Sequence, residues 1–275
     1  MGYELSGFDG KVAVVTGAGR MRSIGRSIAT ELARAGCDLV LTGTGRSPDR
    51  YPEEEQAAGW RDVESVADDA RAMGRRAHTV RCDVSSVEDV ARLAAEVHDI
   101  FGRADVLVNT AAAAHGPDRV PLVDIDPDDW QRVHDVNTYG PFLMCRAFGR
   151  MMLDAERGGA IVNISSIASK YYPANSSGYA SSKAGLNALT ASMAQEVGPA
   201  GVRVNAICVG PVDTSRVEKV TQAAGFDQVI RATVPMQRIG TGEDIAHAVV
   251  FLCSDQGSWV TGQCWNVDGG RVVAR

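Results

Sequence analysis

The sequence predicts an α/β fold in which a doubly wound parallel sheet carries helices on both faces. Short apolar runs rich in β-branched residues alternate with longer segments of helical periodicity, as expected of strands and crossover helices. The apolar runs are nearly continuous, which is typical of strands that are covered on both sides. The 275 residues contain no linker and no internal repeat, so we expect a single domain over residues 1–275.

The predicted strands are short and occupy residues 12–16, 39–42, 77–83, 106–109, 161–165 and 202–208. The helical patterns cover residues 24–35, 63–73, 87–100, 130–153 and 179–197, and a last apolar piece at 263–267 is predicted to be an edge strand. Residues 45–62 interrupt the alternation after the second strand with two prolines and a Glu-Glu-Glu run. Their polarity predicts a solvated surface insertion, with a functional lid as the less favoured alternative.

Composition excludes several classes of protein. A formal net charge of -6 argues against nucleic acid or an anionic membrane as a partner, because both need a basic face. The six cysteines are scattered singly and the five histidines lack metal-ligand spacing, so neither a disulfide framework nor a metal site is expected. No signal-like or membrane-spanning apolar run is present, which predicts a cytoplasmic protein.

A glycine-rich turn follows the first predicted strand. It reads Thr16-Gly17-Ala18-Gly19-Arg20-Met21-Arg22-Ser23-Ile24-Gly25 and leads directly into an amphipathic helix. Glycines let a pyrophosphate approach the backbone, and the N-terminus of a helix offers free N–H groups and a positive dipole end. The placement indicates a dinucleotide-binding turn of the Rossmann type. Ser23 donates a hydrogen bond to a phosphate, caps the helix, or does both.

The strongest chemical signal is Tyr179-Ala180-Ser181-Ser182-Lys183. Residues four apart share a helix face, so the phenol and the ammonium project into one site. The ammonium favours the ionised phenol, which suits a general acid and base at a carbonyl or alcohol oxygen. Ser166 ends a predicted buried strand 13 residues before Tyr179, and Asn137 lies on the long helix before that strand.

With these motifs in register, the chain resembles the short-chain dehydrogenase/reductase family from about residue 10 to residue 271. The resemblance implies that Tyr179 is the general acid and base and that Ser166 binds the substrate oxygen. It implies that Lys183 binds the nicotinamide ribose and assists the tyrosine, and that Asn137 supports a proton relay. The cofactor contacts that turn and resemblance together imply are Gly17, Gly19, Arg20, Ser23, Ile24, Gly25, Thr44, Arg46, Asp83, Val84, Asn109, Ala111, Tyr179, Lys183, Pro211, Val212 and Thr214.

The glycine turn departs from the family pattern by two extra residues and by Ser23 in place of a glycine. In this it is similar to the divergent enoyl-reductase branch of the family. That branch separates its catalytic tyrosine and lysine by six residues, yet the residue seven before Lys183 is Ser176. The spacing of Tyr179 and Lys183 therefore favours the main, 3-oxoacyl-reductase-like branch.

The cofactor is predicted to be NADP(H) rather than NAD(H). Asp38 stands at the start of the second strand, far from the ribose, and the carboxyl end of that strand has no acidic residue. Arg20, Arg46 and the hydroxyl of Thr44 suit a 2′-phosphate, since guanidinium groups bind phosphate in a fork. The alternative is that these arginines are exposed surface charges and that NAD(H) is used.

The sequence thus predicts an oxidoreductase that interconverts a ketone and a secondary alcohol. The alternatives are a 3-oxoacyl thioester reductase and, in a different class, a catalytically silent nucleotide-binding regulator. Residues 113–121, 167–177 and 213–237 are the predicted pocket walls. His115 lies among them, and a loop histidine without a role is favoured over a contact with substrate. No basic side chain is predicted to face the pocket, which disfavours an acidic substrate. Small residues along 179–197 permit close helix packing, and the family commonly forms tetramers, so a homotetramer is expected.

Overall fold

The computed structural model describes residues 5–114 and 116–273. Within them, seven parallel strands form one sheet in the order β3-β2-β1-β4-β5-β6-β7, which confirms the predicted fold class. The predicted piece near residue 263 is the edge strand β7. The strands are β1 (Val12–Thr16), β2 (Asp38–Gly43), β3 (Ala77–Arg81), β4 (Val106–Asn109), β5 (Gly159–Ser166), β6 (Val202–Val209) and β7 (Cys264–Val267).

Helices connect the strands and cover both faces of the sheet. In chain order they are α1 (Ile24–Ala35), α2 (Glu53–Ala57), α3 (Val63–Ala72), α4 (Val87–Phe101), α5 (Pro127–His134), α6 (Gly140–Ala155), α7 (Ala168–Tyr171), α8 (Ser177–Val197), α9 (Glu218–Thr221), α10 (Phe226–Thr233) and α11 (Gly242–Cys253).

The core has two halves, one on each face of the sheet. Successive side chains of a strand point to opposite faces. In β1, Ala13 and Val15 pack with residues of α1, α3 and α11, whereas Val12 and Val14 pack with residues of α4, α6 and α8. Because every β1 side chain is buried, its apolar run could not alternate with polar residues, as the sequence indicated.

The helix predicted over residues 130–153 is divided into three pieces. A π-helical turn, Asp135–Tyr139, separates α5 from α6. Thr138 Oγ1 donates to the carbonyl oxygen of Ser182 at 2.9 Å, and this contact joins the turn to α8. A π-turn inserts one residue into a helix and is frequent at functional sites. Apolar periodicity does not reveal such an insertion because the helix continues on both sides.

The insertion at residues 45–62 is not the solvated loop that its polarity predicted. It contains a 3₁₀ turn at Pro48–Arg50 and the short helix α2. The side chains of Tyr51, Glu55 and Asp62 are buried, and Glu55 is 0% exposed. Glu55 accepts a hydrogen bond from the backbone amide of Met21 at 2.9 Å, so the insertion packs against the glycine-rich turn.

The strand order creates a crevice at one point of the sheet. Strand β1 pairs with β2 on one side and with β4 on the other. The chain therefore adds β2 and β3 on one side of β1, and then crosses to the other side to add β4. In open α/β sheets, ligands bind at such a switch point, outside the carboxyl ends of the strands. The glycine-rich turn after β1 and the residues after β4 and β5 lie at these ends.

Candidate active site

The predicted catalytic residues lie at the carboxyl end of β5 and on the helices beside it. Ser166 is the last residue of β5, and Tyr179 and Lys183 lie in the first half of α8. The ammonium nitrogen of Lys183 is 6.0 Å from the centroid of the Tyr179 ring. Ser166 Oγ accepts a hydrogen bond from the amide of Ala168 at 3.2 Å, which leaves its hydroxyl hydrogen available to a substrate oxygen.

Lys183 is a buried cation. Its side chain is 3% exposed, and Nζ donates a hydrogen bond to the carbonyl oxygen of Ile164 at 2.8 Å. Burial and, as a smaller effect, the positive charge of Arg216 together lower the pKa of Lys183 to about 7. The lysine is therefore poised between its two protonation states near neutral pH.

Asn137 is fully buried in the π-helical turn. Its Oδ1 accepts a hydrogen bond from the amide of Ala113 at 2.9 Å, and its Nδ2 donates to Ser182 Oγ at 3.1 Å. These contacts tie the segment after β4 and the π-turn to α8, one residue before Lys183. The side chain of Asn137 thus positions the elements of the site, whereas the proton relay through its backbone stays a prediction.

The glycine-rich turn has the form that a pyrophosphate requires. Gly17 has φ +67°, and a Cβ placed on it would lie 2.8 Å from the Cα of Ala111. A Cβ on Gly25 would lie 2.7 Å from the carbonyl oxygen of Gly17. The amides of Ile24 and Gly25 in the first turn of α1 have no intrahelical acceptor, so they are available to an anion. The turn therefore suits the pyrophosphate of a dinucleotide.

Ser23 caps α1, which is one of its two predicted roles. Its Oγ accepts from the amide of Arg26 at 3.2 Å and donates to the carbonyl oxygen of Arg20 at 2.9 Å. Because the hydroxyl hydrogen is used within the turn, donation to a phosphate is not the role that the structure gives it.

The structure gives Arg46 a different role from the predicted one. Its guanidinium forms ion pairs with Glu55 at 2.9 Å and with Asp62 at 3.3 Å, and it lies over the ring of Tyr51. Two carboxylates already hold the group that was predicted to bind a 2′-phosphate. Neither acid was predicted from the sequence, because an acid at the ribose is expected directly after β2, whereas here the insertion carries both acids back to this position.

The carboxylate of Asp62 lies against Gly19 in the glycine-rich turn. A Cβ on Gly19 would be 1.6 Å from Oδ1 of Asp62, and a Cβ on Gly43 at the end of β2 would be 3.8 Å from Oδ2. Asp62 has φ 53° and ψ -132°, a conformation that costs energy for a residue other than glycine. Such strain is retained where the position of the side chain matters.

Three other predicted cofactor contacts have side chains in the core. Val84 and Val212 are buried among apolar residues. Asn109 donates to Asn163 Oδ1 at 2.8 Å and so joins β4 to β5. These three side chains lie in the protein interior and stabilise the segments that border the crevice.

The remaining predicted contacts lie at the carboxyl ends of the strands. Ala111 packs on Gly17, and Asp83 Oδ1 accepts from the amide of Ser85 at 2.9 Å. Thr44 is exposed after β2. Pro211 and Thr214 follow β6, where the carbonyl oxygen of Pro211 accepts from the amide of Gly240 at 2.9 Å.

Two arginines face Tyr179, contrary to the expectation that no basic side chain would reach the pocket. The guanidinium carbon of Arg119 is 4.2 Å from the Tyr179 ring centroid, and that of Arg216 is 5.9 Å away. Both residues lie in segments predicted to be pocket walls, but loops have no periodicity from which side-chain direction can be predicted. His115, from the same wall as Arg119, lies outside the described residues.

The chain matches known proteins over nearly its whole length. A family model described as enoyl-(acyl carrier protein) reductase matches residues 17–271. The chain belongs to the short-chain dehydrogenase/reductase family. An uncharacterized oxidoreductase of Mycobacterium tuberculosis is 37% identical over 267 residues, which are 97% of this chain and 99% of that protein. The cis-4-hydroxycyclohexanecarboxylate dehydrogenase of Sinomonas cyclohexanicum is 37% identical over 270 residues, with 97% and 98% covered.

A solved structure is similar over nearly the whole length. It is a 7α-hydroxysteroid dehydrogenase complexed with NADH and 7-oxo glycochenodeoxycholic acid, with a TM-score of 0.83 and 33% identity. The match covers 96% of this chain and 94% of that one. As a short-chain dehydrogenase/reductase, the protein is an NAD(P)(H)-dependent oxidoreductase that interconverts a ketone and a secondary alcohol.

Two further observations bound the site. Across residues 5–114 and 116–273, no three His, Cys, Asp or Glu side chains gather as metal ligands would. In the same part of the chain, no helix has both the length and the apolar character needed to cross a membrane.

The buried charge of Lys183 predicts a pH-dependent stability. Between about pH 7 and pH 10 the unfolded chain keeps the lysine proton that the folded chain has lost, so stability rises with pH. Lys183→Met removes this contribution. We expect the free energy of unfolding of the wild type, minus that of the variant, to rise over this range and to stay flat below it. Urea denaturation across this pH range measures the two free energies of unfolding. If both change in parallel with pH, the pKa of Lys183 is not lowered in the folded protein.

Proposed function

We propose that Tyr179 is the general acid and base of this oxidoreductase, with Ser166 and Lys183 as its partners. The observation that supports it is the placement of the Tyr179 ring 6.0 Å from the ammonium of Lys183 at the carboxyl end of β5. This end of the sheet is beside the crevice where a dinucleotide fits. The glycine turn would hold the pyrophosphate, and Lys183 would hold the nicotinamide ribose.

In the reductive direction, the phenol of Tyr179 donates its proton to the carbonyl oxygen, and in the oxidative direction the phenolate accepts one. The hydroxyl of Ser166 donates a hydrogen bond to the same oxygen and stabilises the charge that develops there. The ammonium of Lys183 stabilises the phenolate that remains after proton transfer. When bound, the nicotinamide supplies or accepts the hydride.

The first test is Tyr179→Phe. The substitution removes the hydroxyl but keeps the ring, so we expect turnover of ketones and alcohols to fall by about 100- to 10,000-fold. Cofactor affinity, measured by fluorescence titration, should change little. Tyr139→Phe is the matched control, because Tyr139 is 43% exposed.

The substrates tested for turnover should include simple ketones, cyclic ketones and a 3-oxoacyl thioester. Near-normal turnover by Tyr179→Phe would contradict the assigned role. Cofactor binding without turnover of any member by the wild type would support the silent regulator instead.

We further propose that NAD(H) is preferred over NADP(H), the reverse of the sequence-based prediction. The carboxylate of Asp62 lies beside Gly19 and Gly43, where an acidic residue suits ribose hydroxyls and repels a 2′-phosphate. Arg46 is paired with Glu55 and Asp62, and Arg20 lies within the field of the same two carboxylates. The related hydroxysteroid dehydrogenase structure holds NADH, which supports the proposal.

Asp62→Asn tests the preference. Without the carboxylate the repulsion of a 2′-phosphate weakens, so the ratio of kcat/KM for NADH to kcat/KM for NADPH should fall by at least about tenfold. The matched control is Glu53→Gln, an exposed acid of the same insertion. A wild type that prefers NADPH would overturn the proposal.

We also propose that the protein is a cytoplasmic homotetramer. The exposed surface of α8 includes the small residues Ala188 and Ala191, which allow close packing of a helix from a second copy. Light scattering should give a mass of four 29.2 kDa chains, and Ala188→Arg should lower it, because the long cation cannot fit between closely packed helices. A monomeric wild type would contradict this assembly.

A further inference from the structure

Three cationic groups surround the ring of Tyr179. The guanidinium carbons of Arg119 and Arg216 are 4.2 and 5.9 Å from its centroid, and the ammonium of Lys183 is 6.0 Å away. The proposed mechanism uses only the lysine. The two arginines therefore require a separate explanation.

Arg119 is held in place from the side of α8. Its Nη1 donates a hydrogen bond to Ser176 Oγ at 2.8 Å. Its Nε lies 3.5 Å from Oδ2 of the buried Asp118, and neither atom has a hydrogen-bond partner among the described residues. The guanidinium is thus oriented by its surroundings while part of its donor capacity remains unused.

Arg216 lies after β6, and its guanidinium approaches the same ring from another loop than Arg119 does. It forms no ion pair or side-chain hydrogen bond with a described residue, and its titratable neighbours include Tyr179, Lys183, Arg119, Asp118 and Arg20. Burial and the adjacent arginine lower the pKa of its guanidinium, which reports an unfavourable place for a positive charge. Asp118 is thus the buried carboxylate near both guanidinium groups.

A half-buried cation without a counter-ion raises the free energy of the folded protein, because the charge has lost solvation, and a bound anion offsets this loss. We propose that Arg119 and Arg216 bind the carboxylate of the substrate, so that the protein acts on oxo acids and hydroxy acids. Guanidinium groups bind a carboxylate in a bidentate fork, which would orient the carbonyl toward Tyr179. This substrate class rests on the proposed role of Tyr179. A phosphate of the cofactor is the other source of the same negative charge.

A binding measurement tests the anion site independently of turnover. Calorimetry with saturating NAD⁺ should compare the diacids glutarate, adipate and cyclohexanedicarboxylate with their neutral diamides. We expect at least one diacid to bind the wild type about 10- to 100-fold more tightly than its diamide, as for hydrogen bonds to charged groups. Arg119→Met and Arg216→Met should remove the difference, and Arg216→Lys should restore part of it.

Kinetics then connect the site to the reaction. Levulinate and acetoacetate should be compared with methyl levulinate and acetoacetamide. In Arg216→Met, kcat/KM should fall by about 10- to 100-fold for the acids and little for the neutral ketones. The control is Arg150→Met, since Arg150 is 73% exposed on α6 and pairs with Asp154.

The outcomes separate the possibilities. If no diacid binds more tightly than its diamide, the proposal is wrong. If Arg216→Met weakens NAD⁺ binding while acids and amides bind alike, the anion is a cofactor phosphate and the proposal is also wrong. If diacids are preferred but the wild type reduces no ketone, the anion site stands and the proposed reaction fails.

Discussion

The hydroxyl of Thr16 holds together the two strands between which the crevice opens. It lies at the end of β1 and accepts hydrogen bonds from the amides of Thr110 and Ala111, each at 3.0 Å, at the end of β4. Ala111 in turn leaves no room for a side chain on Gly17. The path of the glycine-rich turn, and with it the start of α1, therefore depends on how β1 and β4 are joined. The position of the glycine-rich turn, and so of a ligand that it binds, is set by the junction of β1 and β4 at Thr16.

Charge is distributed unevenly along that crevice. At the glycine-rich turn, Arg46 is neutralised by Glu55 and Asp62, and Arg22 pairs with Glu54 of the insertion and with Asp213 and Glu218 after β6. At Tyr179, two arginines and a buried lysine surround the ring, and the buried carboxylate of Asp118 lies beside Arg119. The first end is balanced by the protein itself, whereas the second is balanced only when an anion binds. This contrast is why we assign the uncompensated charge to a substrate.

The sequence predicted those parts whose signal is local. The bounds of β1, β4 and α1 agree with the predicted ones, because β1 and β4 are continuous apolar runs and Ser23 caps a strongly periodic helix. The positions of Ser166, Tyr179 and Lys183 in the fold were also predictable from local signals. Ser166 ends an apolar strand, and Tyr179 and Lys183 are four residues apart on a helix. Asp62 and Glu55 were not, because their burial depends on ion pairs with a residue several positions away. The directions of Arg119 and Arg216 were also hidden, because they come from loops that meet only in the folded chain.

The central claim is that this fold brings a phenol, held among cations, to a carbonyl oxygen, while the carbonyl carbon exchanges hydrogen directly with a nicotinamide. Reduction of levulinate by NADH that carries two deuteriums at C4 of the nicotinamide, followed by mass spectrometry of the product, tests it most directly. We predict one deuterium at the carbinol carbon for the wild type, and product formation about 100- to 10,000-fold slower for Tyr179→Phe. Product from reactions in D₂O with unlabelled NADH should carry none at that carbon, and solvent deuterium found there would contradict the account.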